Sequence, residues 1–216
     1  MKATNSEDPQ RPFVTLVDDD VNVREAMGAL LESVGIESFA FASARDMLNA
    51  TLPDRPGCFL LDVRMPGLSG LDLQQHLASK GMNMPVVFLT GHGDIAMSVE
   101  AMKAGALDFL TKPVRDQTLL DAVLKAIAID VDRREAAAET RLHSGHFRTL
   151  TSRERQVLKL VVGGAMNKQI AFQLGISEVT VKLHRSSMMR KMQASSVPQL
   201  LNAWQAIPDS LRAADN

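Results

Sequence analysis

Short apolar runs alternate with amphipathic stretches through the first half of the chain, the pattern of βα units wound around a parallel sheet. The predicted strands are Phe13–Val17, Ile36–Phe41, Cys58–Leu61, Val86–Leu89 and Leu107–Leu110. Between them Val23, Met27, Leu30, Leu31 and Val34 recur at helical spacing, as do Ile95, Val99 and Met102 and, less cleanly, Leu71, Leu73 and Leu77. Five strands and five helices predict an α/β fold, a doubly wound five-stranded parallel sheet. After Pro113 the pattern turns helical and stays so. Leu119, Leu120, Val123, Leu124, Ile127 and Val131 form one core-facing stripe, and the charged, alanine-rich run Asp132–Arg141 reads as the exposed end of the fifth helix. Arg141–Leu150, which contains Gly145, reads as a linker.

From Thr151 the chain predicts an all-α domain of four short helices, Ser152–Val162, Lys168–Leu174, Glu178–Met192 and Val197–Trp204. Leu174-Gly175-Ile176-Ser177 is a tight turn whose serine can cap the next helix, so the second and third helices make a helix-turn-helix. On a helical wheel Val181, Met188 and Met192 form the buried arc and Lys182, Leu183, Ser186 and Arg190 lie opposite. The expected boundaries are 12–130 for the α/β domain, 131–147 for a helical extension and linker, and 148–206 for the helical domain, with 1–11 and 207–216 as flexible tails.

Composition adds three constraints. A hydrophobic fraction of 45% with 23% charged residues supplies a packed core. The single cysteine, Cys58, permits no intrachain disulfide and no cysteine-based zinc site, which suits a reducing cytoplasm, and reads as a small buried hydrophobe. The polar start and the lack of any 18-residue apolar stretch predict neither export nor a membrane span. Charge then separates the halves: ten Lys/Arg against four Asp/Glu make Phe147–Asn216 +6, and a whole chain at −1 leaves −7 for residues 1–146. An acidic half joined to a basic half points to a nucleic-acid partner for the second alone.

The acidic half concentrates its chemistry at one end of the predicted sheet. Asp18, Asp19 and Asp20 follow the first strand, Asp62 the third, Thr90 the fourth and Lys112 the fifth. Residues past the carboxyl ends of neighbouring parallel strands share one crevice. Crowded carboxylates repel unless a cation or proton relieves them, and an open crevice suits Mg2+, which keeps waters and a phosphate oxygen. Such a site can transfer a phosphoryl group with a carboxylate as nucleophile. Asp62, alone between an apolar run and the turn Arg64–Gly67, is the expected nucleophile, and Asp20 the expected cap of the first helix. Gly91-His92-Gly93-Asp94-Ile95-Ala96 fits a dinucleotide-binding pattern but follows the fourth strand instead of the first, so it reads as a loop.

LVDDD (16–20), LLDVRMPGLSG (60–70), FLTGHGD (88–94) and DFLTKP (108–113) together resemble the flavodoxin-like receiver domains of two-component systems, over about residues 12–130. The resemblance implies that Asp62 is phosphorylated, that Asp19 ligates Mg2+ with Asp62 and the backbone carbonyl of Arg64, and that Asp18 assists through water. It further implies that Thr90 and Lys112 bind phosphoryl oxygens, that Phe109 is a switch aromatic, and that Pro113 follows a cis bond. LTSRERQVL (150–158), NKQIAFQLGIS (167–177) and TVKLHRSSMMRKM (180–192) resemble the LuxR-type domain of the NarL/FixJ regulators. That likeness implies DNA binding as a dimer with Lys182, Leu183 and Ser186 reading bases, although Ser186 stands where some relatives carry a basic residue. Lys168, Thr180, His184, Arg185 and Lys191 suit phosphate contacts, with Arg190 on the exposed face.

The expectation is a cytoplasmic, non-enzymatic response regulator. A sensor histidine kinase would phosphorylate Asp62, the phosphorylated receiver would form a homodimer, and the dimer would bind double-stranded promoter DNA, with RNA polymerase as a further partner. Two alternatives stand beside it: a constitutive DNA-binding regulator whose receiver is unphosphorylated, and an aspartyl-phosphate phosphohydrolase. Against the second, such enzymes carry an acid/base aspartate two residues after the nucleophile, where this chain has Arg64.

Overall fold

A computed structural model describes residues 11–91 and 95–213. The chain divides into two units, 1–134 and 135–216. The first holds five parallel strands, β1 (Phe13–Val17), β2 (Glu37–Phe41), β3 (Gly57–Leu61), β4 (Val86–Thr90) and β5 (Asp108–Thr111), in the order β2-β1-β3-β4-β5. Helices α1 (Val21–Ser33), α2 (Ala44–Asn49), α3 (Gly70–Ser79) and α4 (Ile95–Lys103) connect them, and α5 (Asp116–Arg148) follows. Every residue of β1, β3 and β4 is buried, as a sheet covered on both faces requires.

Alternation along the strands feeds two cores. Val14, Leu16, Cys58, Leu60, Val87 and Leu89 face one side, where they pack with Leu31 of α1 and with Leu119, Val123 and Ala126 of α5. Val17, Phe59, Leu61 and Phe88 face the other, against Met47 of α2, Leu73 and Leu77 of α3 and Ala101 of α4. Cys58 is fully buried, and burial, reinforced by the negative charge of Asp130, pushes its thiol up to about 12. It is the inert hydrophobe expected.

The second unit contains the C-terminal part of α5 and helices α6 (Ser152–Val162), α7 (Asn167–Leu174), α8 (Glu178–Lys191), α9 (Val197–Ala206) and α10 (Asp209–Ala213). Its core gathers Phe147, Val157, Leu158, Ile170, Val181, Met188 and Leu200. Predicted and observed bounds of α6 coincide, and those of α7, α8 and α9 differ by one or two residues. Ser177 caps α8 by accepting from the Thr180 N–H at 3.1 Å, and Gly175 supplies the left-handed turn at φ 63°. No helix among the described residues is long and apolar enough to cross a membrane.

Three elements depart from the sequence reading. Arg141–Leu150 is not a linker, because α5 runs to Arg148. A glycine inside a helix costs about 1 kcal/mol, and the complete burial of Phe147 in the helical core, worth about 1.5–3 kcal/mol, outweighs it. Residues 207–213 are not a tail: Ile207 is buried, α10 follows, and the Arg212 guanidinium lies over the Trp204 ring at 5.3 Å. Helix α2, which no stripe located, has six residues, too few to show a period. Its local signal is Ser43, whose side chain accepts from the Asp46 N–H at 3.1 Å. Of the remaining tail expectation, Arg11 is exposed, and residues 1–10 and 214–216 lie outside the described residues.

Candidate functional site

The register of β1 on β3 pairs Val17 with Leu61, so the next residues, Asp18 and Asp62, emerge side by side. The Asp62 N–H donates to the Val17 carbonyl at 2.8 Å and the Asp18 N–H to that of Phe41 at 3.2 Å, fixing both backbones. From the end of β5, Lys112 reaches across: its Nζ lies 2.5 Å from Asp18 Oδ2 and 2.9 Å from Asp62 Oδ2. The Lys112 N–H also donates to the Thr90 carbonyl at 2.8 Å, which ties the fourth and fifth strand ends together. Carboxylate oxygens of Asp18, Asp19 and Asp62 come within 4.8 Å of one another. Asp18, Asp62 and Thr90 are buried and Asp19 is exposed, so the cluster opens to solvent on one side.

The electrostatics follow from this crowding. Burial pushes the Asp18 carboxyl upward, opposed by the hydrogen bond from Lys112. Burial alone would lower Lys112, but the hydrogen bonds to Asp18 and Asp62 outweigh it and hold the ammonium above its ordinary range. One ammonium thus serves two carboxylates, with a third beside them. An all-oxygen, partly neutralised, solvent-open donor set is what a hard divalent cation prefers, and the residues present fit Mg2+.

Several positioning residues escaped the sequence reading. Gly70, at the start of α3, lies against the backbone of Asp62: a Cβ there would sit 2.1 Å from the Asp62 carbonyl oxygen and 3.0 Å from its carbon. Its N–H donates to the Val63 carbonyl at 3.0 Å, closing the loop after β3. The adjacent Ser69 and Asp72 form a reciprocal capping box. Arg24 of α1 donates to the Asp18 carbonyl at 2.7 Å, and Asp20 caps α1 as expected, accepting from Asn22 at 2.8 Å. The Arg64 N–H donates to Asp62 Oδ1 at 3.2 Å. Half-buried Phe109 packs its ring 6.2 Å from that of Phe88, and the Lys112–Pro113 bond is cis. His92, Gly93 and Asp94 lie outside the described residues.

In the second unit, α8 and its C-cap bury Val181, Met188 and Met192, and α8 exposes Lys182, Leu183, Ser186 and Arg190, the division expected from the wheel. Lys168 is exposed on α7, and Thr180 and His184 are half-buried. Thr180 shares a hydrogen bond with the Ser177 hydroxyl at 2.8 Å. Two of the expected phosphate contacts carry structural loads. Arg185 donates to Asn167 Oδ1 at 3.0 Å, linking α8 to α7, and Lys191 lies 2.7 Å from Glu154 Oε2, linking α8 to α6. Glu154 is buried. Its burial raises the carboxyl, but hydrogen bonds from Lys191, Ser187 and Thr151 overcome that and bring it down to about 2.

Comparison with known proteins agrees with a receiver fold followed by a helical domain of the LuxR type. Residues 14–124 match the response regulator receiver domain, and residues 148–203 match the bacterial regulatory proteins of the luxR family. Nodulation protein W of Bradyrhizobium diazoefficiens is 50% identical over 197 residues, covering 91% of this chain and 87% of that protein. The response regulator protein TmoT of Ectopseudomonas mendocina is 44% identical over 203 residues, 94% of this chain and 92% of its own. Among solved structures, the response regulator StyR is 46% identical, with a TM-score of 0.82, covering 90% of this chain and 98% of that one. The chain therefore belongs to the NarL/FixJ family of two-component response regulators, a receiver domain joined to a LuxR-type DNA-binding domain.

Proposed function

We propose that the chain is a phosphorylation-controlled transcription factor of the cytoplasm, in which a sensor histidine kinase transfers a phosphoryl group to Asp62. The observation that carries this reading is the sharing of one ammonium, Lys112, between Asp18 and Asp62 at the ends of three strands. Residues 12–130 act as the receiver and 148–206 as the DNA-binding domain. A carboxylate oxygen of Asp62 attacks phosphorus, the P–N bond to the kinase histidine breaks, and the electron pair returns to the imidazole nitrogen. Charge on the equatorial oxygens is met by the Lys112 ammonium and the Thr90 hydroxyl, which need only be positioned.

Asp18, Asp19, Asp62 and the Arg64 carbonyl would hold Mg2+, with Asp18 acting through water. The bound ion supplies positive charge to the carboxylates and the phosphoryl oxygens. Asp18 keeps Lys112 in place while Asp62 changes from carboxylate to acyl phosphate. Thr90, drawn toward the phosphoryl group, vacates space that Phe109 enters, and the altered surface promotes a receiver homodimer. The pocket thereby serves a covalent event on the chain's own side chain and not turnover of a free substrate.

In the dimer, Lys182, Leu183 and Ser186 read base edges in the major groove of promoter DNA, where RNA polymerase is the further partner. Lys168, Thr180, His184 and Arg190 engage phosphates, joined by whatever donors Arg185 and Lys191 retain beyond Asn167 and Glu154. Phosphoryl uptake from acetyl phosphate or a kinase tests the first step, and uptake by Asp62→Asn equal to wild type would refute it. Gel shift at fixed salt tests the second: Lys182→Ala should weaken promoter binding, and unchanged affinity would refute the α8 assignment.

A further inference from the structure

Helix α8 presents more than cations. Val179 and Leu183 are 68% and 67% exposed, large apolar side chains left to solvent on a helix whose opposite face is fully buried. At 3.6 residues per turn, Val179, Lys182, Leu183, Ser186 and Arg190 fall within an arc of about 100°, opposite Val181, Met188 and Met192. Val179 sits near the centre of that arc. Its place one residue inside the N-terminus of α8 is where a recognition helix meets base edges.

We infer that Val179 and Leu183 form an apolar pair that contacts the 5-methyl groups of two thymines in the operator, making Val179 a specificity-determining residue. The inference rests on the reading of α8 as the base-reading helix and deepens it. Lys182 and Arg190 flank the pair with positive charge that draws the groove toward it, while the pair itself can form no hydrogen bond and so is blind to every base-edge group except an apolar one. The thymine methyl is that group in the major groove. Val179 is β-branched and holds essentially one rotamer in a helix, so its methyls are placed in advance, without the entropy cost of ordering a long side chain. Four residues advance α8 by about 6 Å, close to two base-pair steps of ~3.4 Å, so the two thymines lie one or two steps apart.

The test uses the full chain, with and without acetyl phosphate, to select duplexes from a randomised library. Each thymine of the preferred site is then replaced singly by deoxyuridine, which removes only the methyl. Two thymines one or two steps apart in each half-site should be sensitive, with affinity falling about fourfold at each, the equivalent of ~0.8 kcal/mol for one buried methyl-sized group. Val179→Ala should remove most of the sensitivity at one thymine and Leu183→Ala at the other, while the near-isosteric Val179→Thr, which keeps one methyl, should reduce it. Lys182→Ala should weaken binding to all these duplexes alike. If Lys182→Ala weakens binding but no thymine is methyl-sensitive, or if the Val179 variants leave the pattern unchanged, α8 remains the reading helix and the methyl-reading pair is refuted. If no sequence is enriched, or Lys182→Ala is neutral, the reading of α8 falls and the pair with it.

Discussion

The fully buried carboxylate of Asp130 on α5 accepts a hydrogen bond at 3.0 Å from the backbone N–H of Gly57, the first residue of β3, 73 positions earlier in the chain. Two arginines neutralise it. Arg133 pairs with Oδ1, Arg134 Nε donates to Oδ2 at 2.8 Å, and Arg134 continues to Asp54 at 2.6 Å. The opposite end of β3 delivers Asp62. A buried charge that accepts three hydrogen bonds thus fastens α5 to the base of the strand that leads into Asp62.

Asp130→Ala should therefore be strongly destabilising, since it strands a buried N–H and two cations. Breaking a fully buried pair costs about 3–5 kcal/mol. The arginine side chains keep 43% and 33% of their exposure, so the expected loss is nearer ~2–4 kcal/mol. Urea unfolding of the receiver transition measures it. Asp130→Asn, which retains an acceptor for Gly57, should lose less, and a loss under about 1 kcal/mol for Asp130→Ala would mean that the cluster is ornamental.

At the other end of β3 the sensitive position is Gly70. Its φ is not the constraint; the close approach of its Cα to the Asp62 carbonyl is. Gly70→Ala pushes a methyl into main chain that cannot rotate away, so the strand end or the start of α3 must move. Overpacking of this kind costs about 1–3 kcal/mol. Because the displaced group is the backbone of Asp62 itself, phosphoryl uptake should slow more than the stability loss predicts. A Gly70→Ala protein with wild-type uptake would show that the pocket tolerates the shift.

These two residues mark where sequence reasoning stops. Asp18, Asp62 and Lys112 are legible because strand ends in a parallel sheet converge, so order along the chain translates into proximity. The buried arc of α8 is legible because period alone assigns it. Asp130 is not: it borders a charged run that reads as solvated, and its partner at Gly57 is defined only once α5 docks on the sheet. Arg185 and Lys191 are similar cases, indistinguishable in sequence from free cations until α6 and α7 place Glu154 and Asn167 beside them. Gly70 is visible as a letter in a motif, while the clash that forces it exists only in three dimensions.

Lys112 offers a test of the charge balance in the acidic cluster. Lys112→Ala leaves the buried Asp18 and Asp62 carboxylates facing each other without their shared ammonium, so the variant should be less stable than wild type in metal-free buffer. A cation that fills the gap restores it. Mg2+ should raise the melting temperature of Lys112→Ala more than that of wild type, and at a hundredfold excess over Kd the ion adds about 2.7 kcal/mol to whichever protein binds it. Chelation should reverse the gain. Equal Mg2+ responses in the two proteins would argue that Lys112 and the ion do not compensate the same charge.

The second unit carries its own pH dependence through Glu154. Its folded carboxyl is depressed to about 2 by Lys191, Ser187 and Thr151 acting against burial, from an ordinary value near 4.5. A group depressed on folding stabilises the native state above its unfolded value and loses that contribution as pH falls toward the folded one. The window is therefore about pH 5 down to about 2, and at ~1.4 kcal/mol per unit the loss approaches about 3 kcal/mol. Trp204, the chain's single tryptophan, packs 5.9 Å from Phe147 in this unit, so its fluorescence reports unfolding of the DNA-binding domain within the full chain. Its urea midpoint should hold steady from pH 7 to about 5 and then fall. Glu154→Gln cannot titrate, so its midpoint should start lower at pH 7 and decline less on acidification. If both proteins lose the same stability between pH 5 and 3, the Glu154–Lys191 pair is not what holds α8 against α6.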